Sequence, residues 1–441
     1  MRRSFRFAEV IPGTFRRPAP CRRPRWRFLV GNVAHLAVMA AACANAGAET
    51  NWPAWGGPTG TSHSQETAVP LRWTDESVAW KVALKGSGQS SPVIWGDRIF
   101  LTTALDKGGQ RVVMALDRRD GRLLWEQVAW TGQPEESHIM NGWASATCAT
   151  NGSVVVAFFG RGGLHGYSLS GEHLWSRDLG QFDGPWGTAA SPVIYGDTVI
   201  QNCDSESKEA SLLAVDARTG QTVWNTPREN MRGWSTPLLI HAASGDELLL
   251  NSHRGVRSYD PKTGQELWWC RGFNGRGEPV PAFAHGLAYV VNGLAGDIYS
   301  VRPGGQGDVT ETHRAWHTPR KSGRDLPSPV VIDNYLMAIS MAGVLSCYDC
   351  TSGKELWKER LGAKYSSSPL VVGKRVYFQN EEGETTVVEP GDKLNIVATN
   401  KLNSASDELF RSALVPSHSQ VFDRSTKYLY AIGTVGDSAG N

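Results

Sequence analysis

The sequence predicts an all-β protein, an eight-bladed β-propeller of four-stranded antiparallel blades. Three observations carry this prediction. The 441 residues include 48 Gly and 17 Trp, a composition typical of many short strands joined by tight turns. A motif of the form apolar-x-Asp-x-x-x-Gly-x-x-x-Trp recurs along the chain, and eight short apolar segments each begin one unit of this repeat.

The repeated motif has the length of one propeller blade. The tryptophans that end its full, shortened or degenerate copies are Trp80, Trp125, Trp175, Trp224, Trp268, Trp316 and Trp357. Successive members are 41 to 50 residues apart, which suits a blade of four strands. We expect each Trp to fill the wedge between neighbouring blades, and the Gly before it to adopt positive φ.

The opening segments predict the innermost strands and the way in which the ring closes. They begin at residues 91, 146, 191, 236, 281, 328, 368 and 412. Turn pairs such as Gly96-Asp97 follow most of them, as expected for antiparallel hairpins. The last unit has three strands, so we predict that residues 78–82 supply its fourth by pairing with residues 428–432, which removes the open sheet edges.

The N-terminal 48 residues have the pattern of a secretory signal peptide. Arginines precede an apolar run over residues 28–42, and the segment ends in Ala46-Gly47-Ala48. The run is short and contains His35, which disfavours a membrane-spanning helix. The sequence therefore predicts export to the periplasm or beyond the cell. A lipid anchor on Cys43 is the alternative, although Ala40 stands where a lipobox usually has Leu.

The predicted domains are a signal peptide (1–48), an N-terminal extension packing on the propeller (49–77), the propeller itself (78–433) and a C-terminal tail (434–441). Cleavage removes nine Arg and one Glu, which changes the net charge from +2 to −6. An acidic chain without a basic run is a poor nucleic-acid binder. We expect a monomer.

Five cysteines remain in the mature chain, so at least one has no partner within it. No disulfide framework is evident. Cys347 and Cys350 align with Ala214 and Ala217 of an earlier repeat, which favours a role as small buried residues over redox or metal chemistry. No second C-x-x-C or H-x-x-x-H exists to complete a zinc site, and no metal is predicted.

The start of the repeat region resembles a known family. The segment WPAWGGP at 52–58 is followed by VAWK at 78–81 and SPVIWGD at 91–97. This order resembles the exported PQQ-like β-propeller repeat proteins of planctomycetes and related bacteria, and the resemblance covers residues 50–433. It implies an eight-bladed propeller related to quinoprotein dehydrogenases and to the propeller lipoprotein of the outer-membrane β-barrel assembly machine.

The resemblance does not by itself imply quinone chemistry, because one propeller hosts many functions. The adjacent Cys-Cys pair of quinoprotein alcohol dehydrogenases is missing here, and Cys347-Tyr348-Asp349-Cys350 is not followed by the His of a haem attachment motif. Nucleophile elbows, Walker loops and H-E-x-x-H are missing too. We therefore expect a non-catalytic binding or scaffold propeller without a bound cofactor. The alternatives are a PQQ- or metal-dependent oxidoreductase and an envelope protein-assembly scaffold.

A binding site is expected where the segments that lead into the innermost strands converge, at one mouth of the central channel. These segments combine Gly, aromatic and Arg residues. The predicted ligand-binding residues are Trp143, Trp186, Arg232, Trp234, Arg276, Arg324, Tyr365 and Arg411. Aromatic surfaces and guanidinium groups suit a carbohydrate, an anionic small ligand or a protein partner. The alternative is that these side chains only pack together and seal the channel.

Overall fold

The computed structural model describes residues 51–433 except 183, 207–209, 273–275, 295 and 321–323. The described chain forms an eight-bladed β-propeller, as predicted, with each blade an antiparallel sheet in meander order. The predicted signal peptide and C-terminal tail lie outside the described residues. No helix within the described part is long and apolar enough to cross a membrane.

Two strands precede the first complete blade, and blades 1 to 4 follow in chain order. The early strands are β1 (His63–Ser64) and β2 (Val78–Ala83). Blade 1 is β3 (Val93–Trp95), β4 (Arg98–Leu105), β5 (Gln110–Asp117) and β6 (Leu123–Thr131). Blade 2 is β7 (Ala149–Thr150), β8 (Val154–Phe158), β9 (Leu164–Ser168) and β10 (His173–Arg177). Blade 3 is β11 (Val193–Tyr195), β12 (Thr198–Cys203), β13 (Ser211–Asp216) and β14 (Thr222–Pro227). Blade 4 is β15 (Leu238–Ala242), β16 (Gly245–Ser252), β17 (Gly255–Tyr259) and β18 (Glu266–Arg271).

The second half of the ring repeats this arrangement. Blade 5 is β19 (Ala282–Ala284), β20 (Leu287–Val291), β21 (Ile298–Val301) and β23 (Arg314–Thr318), while β22 (Gly307–Asp308) pairs with β18 of blade 4. Blade 6 is β24 (Val330–Ile332), β25 (Tyr335–Ile339), β26 (Val344–Asp349) and β27 (Glu355–Arg360). Blade 7 is β28 (Leu370–Val372), β29 (Arg375–Gln379), β30 (Glu384–Val388) and β31 (Ile396–Lys401). Blade 8 is β32 (Val415–Ser417), β33 (Gln420–Arg424), β34 (Tyr428–Ile432) and β2. Short helical turns are Gly57–Thr59, Asp75–Ser77, Asp106–Gly108, Gly160–Gly162 and α1 (Thr310–His313).

The ring closes through β2, as the sequence predicted. This strand pairs antiparallel with β34, with Val78 opposite Ile432 and Ala83 opposite Tyr428. The ammonium of Lys81 lies 3.9 Å from the Tyr428 ring centre. Blade 8 therefore takes its outer strand from the beginning of the described chain, so unfolding of either end exposes a sheet edge.

The repeated tryptophans join each blade to the next, as expected. Each lies on an outer strand, and in six of the seven the indole N–H donates to a backbone carbonyl in the outer turn of the following blade. The pairs are Trp80–Arg118, Trp125–Leu169, Trp175–Ala217, Trp224–Pro261, Trp316–Cys350 and Trp357–Gly391, with N···O distances of 2.8–3.2 Å. The Gly of that turn lies under the indole ring at φ of about +70° in most blades, where a side chain would collide with the ring.

Two blades depart from this pattern for local reasons. Trp268 donates instead to the Glu247 carboxylate of its own blade at 2.7 Å, because the following blade replaces the short outer turn with β22 and α1. Blade 7 has Ala398 at the position of the tryptophan. Trp73 from the N-terminal segment lies in the same hydrophobic cluster as Ala398 and stacks on Tyr377, with ring centres 6.3 Å apart.

Before it enters blade 8, the described part of the N-terminal segment contacts the innermost strands of several blades. Trp52 forms a β-bridge with Ile94 of blade 1, and the Pro53 carbonyl accepts from Thr150 of blade 2. Further along, β1 pairs in parallel with β28 of blade 7. The segment thus crosses the end of the central channel where the first hairpin of each blade turns.

The cysteines are small buried residues. The five cysteines of the described residues are free and buried, and burial raises the pKa of the Cys347 and Cys350 thiols to about 12. The Cys350 N–H donates to the Asn334 carbonyl, as the N–H of Ala217 does to Asp197 in blade 3. These cysteines therefore take the place of alanines in the third strand of the blade and in the turn after it, as the alignment of the repeats predicted. A thiol kept protonated by burial is a poor nucleophile and metal ligand.

Candidate functional site at the channel mouth

The central channel opens into a cavity of about 190 Å³ at the end where the chain leads into the innermost strands. We call the segment directly before each innermost strand a leading loop. Every leading loop contributes the residues two and four positions before its strand. The upper tier is Gln89, Ser145, Ala189, Trp234, Glu278, Leu326, Ser366 and Arg411, and the lower tier is Ser91, Thr147, Ser191, Thr236, Val280, Ser328, Ser368 and Ala413.

The lower tier forms a hydroxyl ring that links neighbouring blades. A backbone N–H of one blade donates to the Ser or Thr hydroxyl of the next, with N···O distances of 2.9–3.1 Å. The donor–acceptor pairs are Ser91–Thr147, Thr147–Ser191, Ser191–Thr236, Val280–Ser328, Ser328–Ser368 and Ala413–Ser91. Val280 and Ala413 carry no hydroxyl to accept a hydrogen bond, so the links from Thr236 to Val280 and from Ser368 to Ala413 cannot form. The ring holds the leading loops at fixed spacing below the mouth.

Two segments outside the leading loops also line the cavity. Trp55 of the N-terminal segment forms part of its floor, and the same side chain borders a second cavity of about 520 Å³ on the opposite side. Above the mouth, the loop between β6 and β7 contributes His138, Met140 and Asn141. The Ile139 carbonyl in this loop accepts from Arg411 Nη1 at 3.2 Å. A ligand would therefore reach the cavity from the loop side.

Four of the predicted site residues line this cavity, namely Trp186, Trp234, Arg324 and Arg411. Two more lie beside it and stack on the tryptophans. The Arg276 guanidinium lies 5.2 Å from the Trp186 ring centre and 5.9 Å from that of Trp234, and Arg232 lies 5.9 Å from Trp186. The structure thus brings six of the predicted residues together, while their ligand-binding role stays a prediction.

The tryptophan rings are occupied by protein groups. Trp186 contacts Arg232, Arg276 and the His138 ring, whose centre is 5.2 Å away. The Trp234 indole N–H donates to the Gly187 carbonyl at 2.8 Å. These rings hold guanidinium groups in place through cation–π contacts rather than offering bare stacking surfaces. These contacts are compatible with the packing alternative from the sequence, and both tryptophans also line the cavity.

The cationic groups at the mouth differ in their partners. Arg324 pairs with Glu278 at 2.8 Å, and Arg411 pairs with Glu381 through Nε at 3.2 Å. Lys364 also reaches Glu381, at 3.3 Å. Among the described residues, Arg276 forms no ion pair with a carboxylate. Burial raises the pKa of Glu278 although Arg324 opposes this shift.

Two predicted site residues lie elsewhere, which corrects the sequence analysis. Tyr365 is fully buried in the hydrophobic cluster between blades 6 and 7, so it is a core residue and not part of the mouth. Trp143 packs against Arg111, and its indole N–H donates to the Glu135 carbonyl. Tyr365 lies five residues before its innermost strand, outside the inward-facing register, and Trp143 lies six residues before its strand, in a turn ahead of the extended segment.

The sequence analysis missed several lining residues. Glu278 and the hydroxyl ring could have been found from the alternation along each leading loop, since residues two and four before an innermost strand face the channel. Trp55 and the His138 loop carried no such signal, because they come from segments outside the repeat. Gly277 allows close packing on the Asn251 carbonyl, so the Gly of this leading loop serves packing rather than ligand approach.

The lining residues do not fit a quinone–metal centre. Glu278 is the only carboxylate among the described lining residues, and Arg324 already binds it. No group of three or more His, Cys, Asp or Glu side chains in the described part is placed to hold a metal ion. The five cysteines of the described residues are buried and form no disulfide, so none offers a disulfide surface to a cofactor.

The fold and the site define a β-propeller with a blind central cavity at one mouth. A family model described as outer membrane protein assembly factor BamB matches residues 53–202, 169–302, 208–326 and 295–402. Together these matches extend over most of the propeller. The chain therefore belongs to this family of PQQ-like β-propeller repeat proteins.

Individual relatives are distant. Tetrathionate hydrolase of Acidithiobacillus ferrooxidans is 24% identical over 298 residues, 61% of this chain and 53% of the hydrolase. BamB of Yersinia pestis is 25% identical over 261 residues, 56% of this chain and 62% of that protein. The crystal structure of BamB from Moraxella catarrhalis superposes with a TM-score of 0.59 at 16% identity, covering 82% of this chain and 98% of that one. The chain spans less than two thirds of the length of the two sequence relatives, and the structural likeness shows the fold alone.

Proposed function

We propose that this protein is an exported, non-catalytic binding propeller that takes an anionic ligand, or an anionic group of a partner protein, at the mouth of its central channel. The observation that carries the proposal is the convergence of eight leading loops on one blind cavity with a cationic rim. The signal-peptide pattern over residues 1–48 supports export.

The arrangement of Arg276 favours an anion over a neutral sugar. Its guanidinium is held against Trp186 and Trp234 and forms no ion pair among the described residues, although its charge, with that of Arg324, opposes the rise in the pKa of Glu278. A planar guanidinium fixed by aromatic rings loses little side-chain entropy on binding and can contact carboxylate or sulfate with two parallel hydrogen bonds. A neutral sugar would need open ring faces, and the guanidinium and imidazole groups occupy those of Trp186.

Catalysis is disfavoured by the chemistry of the described lining residues. His138, the imidazole in the lining, stacks on Trp186 and accepts the Met140 N–H at Nδ1. The lining hydroxyls of the lower tier accept inter-blade hydrogen bonds. These groups form no nucleophile–base pair with one another. The Ser366 hydroxyl in the lining does donate to a carboxylate, that of Glu381, but Arg411 and Lys364 already pair with this carboxylate.

The experiment starts from an array of acidic glycans and acidic peptides incubated with the mature protein. The best ligand is then titrated calorimetrically against the wild type, Arg276→Gln and the control Arg302→Gln, which changes an exposed arginine at the other end of blade 5. We expect Arg276→Gln to weaken binding about tenfold or more, as for the loss of a charged hydrogen bond. Equal affinities of the two variants, or an array without any ligand, would reject the proposal.

A second candidate is an enzyme, favoured by the similarity to tetrathionate hydrolase, whose named substrate is an anion. Turnover of tetrathionate by the purified protein tests it directly. A quinone-dependent oxidoreductase would show a stoichiometric quinone spectrum and dye-linked activity after addition of PQQ and calcium. We propose that neither activity will be found.

A third candidate is an assembly scaffold of the cell envelope, favoured by the description of the matching family. Affinity capture from envelope extracts tests this role. Recovery of an outer-membrane protein that Arg276→Gln releases would place the partner at the channel mouth. Recovery of no membrane partner would count against the scaffold role.

A further inference from the structure

The upper tier of the cavity is electrostatically uneven. Of its eight residues, Glu278 is the acid and Arg411 the base, and the other six are uncharged. Glu278 leads into blade 5 and Arg411 into blade 8. In a ring of eight blades these positions lie three blades apart, so the two charged groups face the cavity from different sides.

Glu278 is an incompletely satisfied carboxylate. Its side chain is 6% exposed, and Oε1 accepts from Arg324 at 2.8 Å. Its other oxygen, Oε2, is buried and has no hydrogen-bond partner among the described residues. A buried carboxylate oxygen without a donor is costly in a protein interior. Since the side chain lines the cavity, rotation of the carboxyl group would present Oε2 to a donor bound there.

Arg411 is held rigidly on its own side. Its side chain is 9% exposed, and its Nε and Nη2 lie 3.2 and 3.3 Å from the two oxygens of Glu381. Lys364 shares the Glu381 carboxylate, so the two cations outnumber the anion that binds them. The Arg411 side chain also lines the cavity, which leaves a net positive corner there.

We propose that the cavity binds an amphoteric ligand. Its anionic group contacts Arg411, and its protonated amine or other hydrogen-bond donor contacts Oε2 of Glu278 across the channel. This inference rests on the proposed function and adds a second, oppositely charged recognition point to it. Ligands that carry only the anionic group leave Glu278 Oε2 unsatisfied and bind more weakly.

The test uses linear ω-amino carboxylates from 3-aminopropanoate to 8-aminooctanoate, which vary the separation of the two charges. Each has two matched controls, its N-acetyl derivative and its carboxamide. Binding to the full mature protein is measured by calorimetry and by tryptophan fluorescence. We expect one chain length to bind about tenfold or more tightly than both of its controls, as for a charged hydrogen bond.

The Glu278→Gln variant separates recognition of the amine from recognition of the anion. The amide keeps the acceptor for Arg324 but loses the charge, so the free amine and its N-acetyl derivative should bind equally. The preference for carboxylate over carboxamide should persist. The control Glu359→Gln, on the outer strand β27, should leave every affinity unchanged.

The outcomes distinguish this inference from the proposed function. If hexanoate binds as tightly as 6-aminohexanoate and every other length behaves likewise, the amphoteric ligand is rejected and anion binding stands. If no member of the series binds although an acidic glycan or peptide does, the same conclusion follows. If neither set binds, both proposals are rejected. A Glu278→Gln variant that retains the preference for the free amine would also overturn the role of Glu278.

Discussion

The contact between each turn glycine and the indole of the preceding blade should be a major source of ring stability. Gly220 has φ of +70°, and an added Cβ would lie 2.7 Å from Cδ2 of Trp175. Ordinary carbon contacts are about 3.5–4 Å, so the indole would have to move by roughly 1 Å. That movement would pull its N–H away from the Ala217 carbonyl, which it now reaches at 2.8 Å.

The magnitude follows from two costs. An alanine in the left-handed region costs about 1–2 kcal/mol. Loss of the acceptor for the buried indole N–H adds about 1–3 kcal/mol. Gly220→Ala should therefore lower the free energy of unfolding by about 2–5 kcal/mol. Gly196 lies in the same blade at φ of +59° with no atom within 4 Å of the added Cβ, so Gly196→Ala should show the first cost alone.

Urea denaturation followed by tryptophan fluorescence and circular dichroism measures both variants. The reasoning also predicts that Gly220→Ala costs little more than Gly196→Ala in a Trp175→Leu background, because the indole that it displaces is gone. Equal midpoints for Gly220→Ala and Gly196→Ala in the wild-type background would refute the role of the indole contact.

Three further predictions follow from the fold. Deletion of residues 49–84 removes the outer strand of blade 8 and the Trp55 floor, so the melting temperature should fall strongly; an unchanged value would contradict closure through β2. Burial raises the pKa of Asp423 to about 7, from about 4 in the unfolded chain. The folded state therefore binds this proton more tightly than the unfolded state does. The free energy of unfolding should fall as the pH rises between these two values. Asp423→Asn should flatten this dependence in urea midpoints at pH 5 and 8, and an unchanged slope would assign it to another group. Tyr365→Ala should lower the free energy of unfolding by about 3–5 kcal/mol, as for a buried aromatic. The ligand affinity of the protein that remains folded should stay unchanged. Normal stability together with lost binding would instead show that Tyr365 belongs to the site.

The fold could be predicted from the sequence because its determinants are local and repeated. Most blades have one Trp on the outer strand, one Gly at positive φ in the outer turn and one apolar opening strand, and these residues recur at the spacing of a blade. Closure was also predictable. The last unit lacked an outer strand, and the strand around Trp80 lacked the other three strands of a blade.

The site was only partly predictable. The leading loops were identified correctly, because in a meander they must all emerge at one end. The inward register was missed for Tyr365, since a shift of one residue in an extended segment turns a side chain from the channel to the core. Trp143 lies in a turn ahead of the extended part of its leading loop, where the alternation does not apply. The sequence likewise held no sign that Arg276 would occupy the ring faces of Trp186 and Trp234.

The sequence alone therefore determined the architecture: the number of blades, their order and the pairing of the two ends. The tertiary structure decided which residues face the channel, that Trp55 forms part of its floor, and that Glu278 and Arg411 meet one cavity from different blades. The physical reason is the range of the interactions. Blade formation depends on turns and strands within about fifty residues, whereas the cavity joins side chains that are distant in sequence and adjacent only once the ring has closed.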